Sequence, residues 1–413
     1  MIREIPGPLI EFNSAKNLMP DLQNRTGSID DRLKKRIRRR VTGRIQEFFI
    51  VVAPGLENIV ADELRKPPLS RIQGASSPGG IAFSGRLEDL YIAALHLRCA
   101  SRILMRLTTF RATNFRSLVE KINAFDWELF LPACGLPRIH AVSSHSRLYH
   151  QRAVSDRITE IIARRLDVPE GLSDQRLFVR IADDIVTVSL DACGDLLYKR
   201  GIKRHAHRAP IRETLAAGAL MLAGYTGSVP LIDPMCGSGT FSLEAALIAA
   251  NIPPGWFRNF SFMRWPAFQP GRWNFIKKEA QKGFAARKSI SIFASDIDAD
   301  ACSRLQECVA AHGFSNVVSV EKRDFFSLCP EDLTKEKGVV AINPPYGLRL
   351  ENPETSRRLF REICAKLKSD YRGWTAVLIV PEFDWASRVP FRCASMSFPH
   401  GGLRPTLLWG RIE

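Results

Sequence analysis

The chain has 413 residues, 45% of them hydrophobic and 25% charged. These proportions exclude a chain disordered throughout, a collagen-like fibre and a coiled-coil rod, and the length calls for two or three domains. Lys and Arg number 59 against 43 Asp and Glu, a net charge of +16, and such a field attracts polyanions, nucleic acid first among them.

No apolar run approaches ~18 residues, so no membrane-spanning helix is expected. The first residues lack a signal-peptide core and carry Glu4, Glu11, Asp21, Asp30 and Asp31, which argues against a transit peptide and for a cytoplasmic location. The nine cysteines form no C-x-x-C pair, and neither they nor His140, His145, His150, His205 and His207 follow a metal-ligand spacing. The cysteines read as small buried hydrophobes in a reducing compartment and the histidines as solvated or RNA-facing, and no metal is expected. Positions 32–44, RLKKRIRRRVTGR, hold eight cations and no acid. They read as a solvated, flexible arm or, more sharply, as an arm that contacts RNA phosphates and turns helical when bound.

Ordered sequence is expected from Glu47. A buried strand (48–55), a helix (56–66) ended by Pro67-Pro68, a loop at 76–80, a strand (81–85), a helix (87–97) and a strand (100–110) follow. Next come a helix (115–125), a strand (138–146), a helix (150–166) with Val154, Ile158, Ile161 and Ile162 on one side, and a hairpin (176–191) around Asp183-Asp184. A basic connector (196–210) leads to a helix at 212 and strands at 229–234, 290–296, 317–321, 338–342 and 374–380. Strand–helix alternation implies a doubly wound, mostly parallel sheet, and 391–412 reads as a closing hairpin.

Four segments carry the chemistry. In LIDPMCGSGT (231–240) an apolar strand ends at Asp233, and Gly237 and Gly239 turn the chain into a helix; a ligand can approach the free N–H groups there. The string lacks the third glycine of a dinucleotide fingerprint and the Lys-Ser/Thr of a P-loop. Asp296 ends the strand 289–298, where an acid grips ribose hydroxyls in folds of this kind. Asp324, followed by Phe325, stands where a carboxylate and a ring can hold an adenine edge and face. In VVAINPPYG (339–347), Pro344 and Pro345 remove two donors. The carbonyls near Asn343 and Pro344, with the Asn343 side-chain oxygen, can then accept both hydrogens of a planar amino group, and Tyr346 can stack on its ring. Between these segments, 252–288 is rich in Trp and Phe. It reads as a flap packed on the sheet or as an aromatic wall for a nucleic-acid cleft.

The string N-P-P-Y does not separate guanine N2 from adenine N6 or a protein glutamine amide. Cytosine C5 chemistry needs a cysteine nucleophile near position 343, and the sole Cys-Pro pair, Cys329-Pro330, lies upstream. An RNA-binding scaffold with a dead cofactor site is the non-enzyme alternative.

Together DPMCGSGT (233–240) and NPPYG (343–347) resemble the class I S-adenosylmethionine-dependent amino-methyltransferases. KRGIKRHAHRAPIRETLAAG (199–218) resembles the linker of the THUMP-containing RNA guanine-N2 methyltransferases, most closely the large-subunit rRNA group, with tRNA enzymes as near relatives. The resemblance implies a Rossmann-like α/β catalytic sheet with a terminal antiparallel hairpin. It would span 212–413, after an N-terminal extension (1–46), a ferredoxin-like unit (47–110), a THUMP unit (111–195) and a linker (196–211).

It further implies S-adenosylmethionine as cofactor, with Asp233, Cys236, Gly237, Ser238, Gly239 and Thr240 at its methionine end. Asp296 and Ile297 would take the ribose and Asp324 and Phe325 the adenine, while Glu213 and Thr214 reach in from the linker. Asn343, Pro344, Pro345 and Tyr346 would hold an extruded guanine of structured RNA, with no obligate protein partner. Leu348 departs from the polar residue that relatives carry there. The second catalytic domain of some rRNA enzymes is not recognised, so a single modification is expected.

Overall fold

The protein is described from a computed structural model, which covers residues 30–167, 171–203, 211–285, 289, 291–345, 353–381, 383–398 and 404–413. Its elements are built around two seven-stranded sheets.

The chain enters through helix α1 (Asp31–Ile37), prolonged by one wide turn to Thr42. Asp30 caps it by accepting from the Arg32 amide. This segment is not the flexible arm expected from its charge. Leu33, Ile37 and Val41 recur every fourth residue and form an apolar stripe, of which Ile37 and Val41 are buried. Arg36 reaches Asp126 at 2.9 Å and Glu128 at 2.8 Å, and Arg40 also pairs with Asp126. A charge count sees the eight cations; the helical stripe between them decides the conformation.

The first sheet contains β1 (Gln46–Val52), β2 (Gly74–Ser77), β3 (Gly80–Gly85), β4 (Ala100–Arg111), β5 (Leu136–Ser144), β6 (Leu172–Ala182) and β7 (Ile185–Asp191), in the order β2-β3-β1-β4-β7-β6-β5. Neighbours are antiparallel except β5 and β6. Helices α2 (Glu57–Leu64), α3 (Leu87–His96), α4 (Phe115–Asn123) and α5 (Gln151–Leu166) pack beside it. Alternation along β1 buries Phe48, Ile50 and Val52, and α5 buries the four apolar residues that its spacing marked. The two-residue turn between β6 and β7 holds Asp183 at φ +52° and Asp184 at φ +62°, the left-handed pair that a tight hairpin requires.

Strand β2 lies partly in the stretch read as a loop. Its Gly-Ala-Ser-Ser sequence has little strand propensity, and pairing with β3 imposes the conformation. The twelve-residue β4 pairs with β1 on one side and β7 on the other, which merges the strands of 47–110 and 111–195 into one sheet.

The second half begins with α6 (Glu213–Leu222) and continues through β8 (Leu231–Asp233), α7 (Thr240–Ala249), α8 (Pro270–Lys282), β9 (Ile292–Asp296), α9 (Ala299–Ala311), β10 (Val318–Lys322) and the single turn α10 (Pro330–Leu333). Strand β11 (Val339–Ile342), helix α11 (Pro353–Asp370), β12 (Thr375–Val380), β13 (Ala394–Ser397) and β14 (Thr406–Arg411) complete it. The strand order is β10-β9-β8-β11-β12-β14-β13. The first five run parallel, and β14 and β13 form the expected antiparallel hairpin. The central β8 and β11 are short and wholly buried, as strands covered on both faces must be. The winding direction reverses between β8 and β11, which opens a crevice at the carboxyl ends of the strands.

Two features lock the halves together. The aromatic segment packs partly on its own half, where Phe257 meets His312 and Phe314, and partly across the joint between the halves. Phe260, Phe262, Trp265 and Trp273 are buried, and Tyr91 of α3 stacks on Phe262 with ring centroids 4.8 Å apart. Arg258 donates to the carbonyls of Cys193, Asp195, Leu196 and Lys199. In the connector, Arg200 pairs with Glu244 of α7 at 2.9 Å and donates to the Arg98 carbonyl ahead of β4. Both charged side chains are almost completely buried.

Candidate active site

Four strand ends converge on one cavity of about 550 Å³, a volume suited to a nucleoside-sized ligand. Asp233, Pro234, Met235, Cys236, Gly237, Ser238 and Thr240 line it from the end of β8 and the start of α7. Asp296 ends β9 and Ile297 and Asp298 follow it, Asp324, Phe325 and Phe326 follow β10, and Asn343 and Pro345 follow β11. Ile211, Phe241, Ala301 and Leu359 complete the wall. Residues as distant along the chain as Ile211 and Leu359 are thereby brought to one cleft.

The two motif glycines serve different ends. Gly237 has φ +51°, and a Cβ built there meets nothing within 4 Å, so its missing side chain leaves the cleft open. Gly239 has φ +69°, and a Cβ there falls 2.3 Å from Leu305 of α9. It permits close packing of the turn on that helix and does not line the cleft.

The carboxylates are tied down by backbone amides. Asp296 accepts from Gly237 N at 2.8 Å through Oδ2 and from Asp298 N at 3.0 Å through Oδ1. Asp324 accepts from Phe326 N at 3.1 Å. Asp233 is 1% exposed and accepts from the Ser242 amide at 3.2 Å and hydroxyl at 2.7 Å. Burial, with Asp296 nearby, pushes its carboxyl up to about 7 even though those two bonds oppose the rise.

The rings differ from the sequence reading. Phe325 touches the cleft but is 1% exposed and packs against Tyr371. The free ring surface belongs to Phe326, 37% exposed, which lines the cleft together with the exposed Ile297, 69%. Phe326 was passed over because adjacent aromatics after a strand do not announce which one turns inward. Asn343 and Pro345 face the cavity while Pro344 is buried. Tyr346 and Leu348 lie outside the described residues.

From the linker, Thr214 is buried in the first turn of α6 and Glu213 pairs with Lys203; neither lines the cleft. Lys203 escaped the sequence reading because a lysine in a basic connector looks like any other. Among the described residues no three His, Cys, Asp or Glu side chains gather as metal ligands, and no described helix is long and apolar enough to cross a membrane.

Among the described residues the cleft wall carries four acids, Asp233, Asp296, Asp298 and Asp324, and no lysine or arginine. That lining suits a ligand with a cationic centre. With the open Gly237, the Asp296 carboxylate and the apolar Ile297 and Phe326, it fits S-adenosylmethionine. The fold and the cleft thus define a class I methyltransferase that uses S-adenosylmethionine.

Comparison with known proteins agrees. Residues 200–392 match the model of the RMKL-like methyltransferase domain, and residues 47–104 match that of the RlmL ferredoxin-like domain. A Synechocystis sp. protein bearing an RNA-methyltransferase name is 32% identical over 87% of this chain and 95% of its own length. The ribosomal RNA large subunit methyltransferase K/L of Syntrophotalea carbinolica is 31% identical over 84% of this chain. The chain spans about half the length of that enzyme, 50%.

Among solved structures, a Listeria monocytogenes protein described as a predicted N6-adenine-specific DNA methylase is 28% identical. It superposes with a TM-score of 0.78 over 90% of this chain and 97% of its own. The methyltransferase SMU.472, solved with SAH, is 25% identical with a TM-score of 0.77 over 90% and 99%. The chain belongs to the RMKL-like methyltransferase family.

Proposed function

We propose that the protein methylates the exocyclic N2 of a guanosine in RNA, with large-subunit ribosomal RNA as substrate. The reading is carried by one placement: Asn343 and Pro345 open into the same cleft as Asp296 and Asp324. The amino-group holder and the cofactor cradle therefore share a single cavity.

The family's curated relatives bear RNA and ribosomal RNA methyltransferase names, and the net charge of +16 suits a polyanion. The N-terminal units, ferredoxin-like (47–110) and THUMP (111–195), would capture structured RNA by phosphate contacts, which position more than they specify. The target base would then leave its stack to reach the cleft.

Bound S-adenosylmethionine supplies an electrophilic methyl on a sulfonium. The chain's task is to orient the acceptor. An aryl amine delocalises its lone pair into the ring and is a poor nucleophile. Asn343 Oδ1 and the carbonyls of the diproline corner would accept its hydrogens and aim the remaining lobe along one line. Proline nitrogens offer no competing N–H at this corner. The proton can leave after transfer, so no strong general base is needed. Cys236, Ser238 and Thr240 would hold the cofactor's methionine end, Asp296 its ribose, and Asp324 with Phe326 its adenine.

Incubating the protein with labelled S-adenosylmethionine and ribosomal RNA, then digesting to nucleosides for mass spectrometry, tests the reading. N2-methylguanosine is expected. Label in N6-methyladenosine would give the adenine reading, and label taken up by tRNA in place of ribosomal RNA would give the tRNA reading. Asn343→Ala should abolish transfer while leaving S-adenosylhomocysteine affinity within about threefold; equal loss of both would remove Asn343 from the acceptor role.

A further inference from the structure

The basic segment 32–44 lies ahead of the first sheet, and no part of it reaches the cleft. Its cations are not equivalent, because α1 and its wide last turn sort them by direction. Leu33, Ile37 and Val41 pack on the protein. Arg36 and Arg40 lie beside that stripe on the helix and pair with Asp126 and Glu128. Lys34 pairs with Asp31 at 3.0 Å.

Four cations are left over. Arg32, Lys35 and Arg39 stand at i, i+3 and i+7, and Arg38 follows Lys35 by three, so they share the face opposite the buried stripe. All four are exposed, and among the described residues no acid pairs with them. Like charges at this spacing oppose a free helix, and one so short would not persist alone in water. The apolar stripe and the Arg36 and Arg40 pairs hold the four charges in place before any partner arrives. The turn Trp127–Leu129, against which α1 packs, also meets α5. There Arg164 and Arg165 are exposed and likewise without an acid partner among the described residues. No apolar side chain stands among the four cations of α1, whereas a helix lying on a lipid surface buries several.

We infer that the outward face of α1 docks the phosphate backbone of the RNA substrate through Arg32, Lys35, Arg38 and Arg39. Contacts of this kind add affinity and orientation without reading sequence. The face is preformed, so RNA need not order it on binding. The inference rests on the RNA reading above.

The test is fluorescence anisotropy of a labelled RNA hairpin titrated with the full chain at several salt concentrations. The quadruple variant Arg32→Gln, Lys35→Gln, Arg38→Gln, Arg39→Gln should weaken binding by about tenfold or more at physiological salt. It should flatten the log–log salt dependence by about three, since each lost phosphate contact removes about 0.9. Its S-adenosylhomocysteine affinity should stay within about twofold, because the four side chains touch neither cleft nor core. The control Lys335→Glu, Lys337→Glu removes the same total charge just ahead of β11, at the end of that strand away from the cleft. It should change the slope by less than about one. Unchanged hairpin binding in the quadruple variant, or an equal loss in the control, would overturn the inference and leave only the attraction of net charge. Failure of the unaltered protein to bind the hairpin would remove the RNA reading itself, and the inference with it. Binding to phosphatidylglycerol vesicles in place of the hairpin would give the face to a lipid surface.

Discussion

The amide of Gly237 donates to the Asp296 carboxylate across 2.8 Å, joining the turn after β8 to the tip of β9. One oxygen of Asp296 therefore shapes the glycine turn, and the carboxylate still faces the cleft. Asp296→Ala should remove a ligand contact and a loop tie together. S-adenosylhomocysteine affinity should fall by about ten- to a hundredfold, the equivalent of one or two charge-assisted bonds. Calorimetry measures this, and a loss under threefold would show that Asp296 only shapes the turn.

The motif glycines should separate when each is replaced by alanine. Gly239→Ala drives a methyl into Leu305 at a positive φ, so the melting temperature should drop by several degrees. Gly237→Ala pays only the backbone strain, since its Cβ has open space. Its main effect should be weaker cofactor binding. Thermal melts with and without S-adenosylhomocysteine distinguish the two, and identical profiles would contradict the division of roles.

Arg200 and Glu244 form a buried ion pair between the linker and α7. Arg200→Met leaves Glu244 without its ion-pair partner, with only the more distant charge of Arg98 beside it, and should destabilise by about 3 kcal/mol. The double variant Arg200→Met, Glu244→Met restores neutrality and should be less destabilised than the sum of the single variants. Denaturant titration of the four proteins closes the cycle; strict additivity would mean that the charges do not interact.

Asp233 gives a pH dependence of defined sign. Its carboxyl is pushed up to about 7 in the folded chain, from 3.8, so between those values the unfolded state releases a proton that the folded state keeps. The group's contribution is fully present below about pH 4 and is lost as pH rises toward 7. Asp233→Asn does not titrate. Relative to wild type, its melting temperature should therefore gain steadily from pH 4 to pH 7 and level off above. A constant difference across that range would show that Asp233 is not buried in this way.

The alternation of β1, the spacing in α5 and the pair Asp183-Asp184 are local signals, and each formed the element it announced. The doubly wound catalytic sheet and its closing hairpin were legible for the same reason: β11 is a continuous apolar run, β8 is apolar up to its terminal Asp233, and prolines follow both. Helix α1 was legible only as an arm turning helical on RNA, and its packing on the protein was not, because eight cations outweigh three apolar residues in a composition count though not on a helix surface. The loop-like β2 depended on a partner strand, and the aromatic run on Tyr91 across the joint between the halves.

The site divides in the same way. The sequence alone determined which segments carry polar and glycine residues at strand ends, since a strand's length and its terminating turn are properties of adjacent residues. Tertiary structure decided which side chains face one another. It turned Phe326 outward and Phe325 inward, set Gly239 against Leu305, and placed Lys203 behind Ser238 and Thr240. Such pairings join residues distant along the chain, and they are settled by the packing of whole elements, which no local pattern encodes.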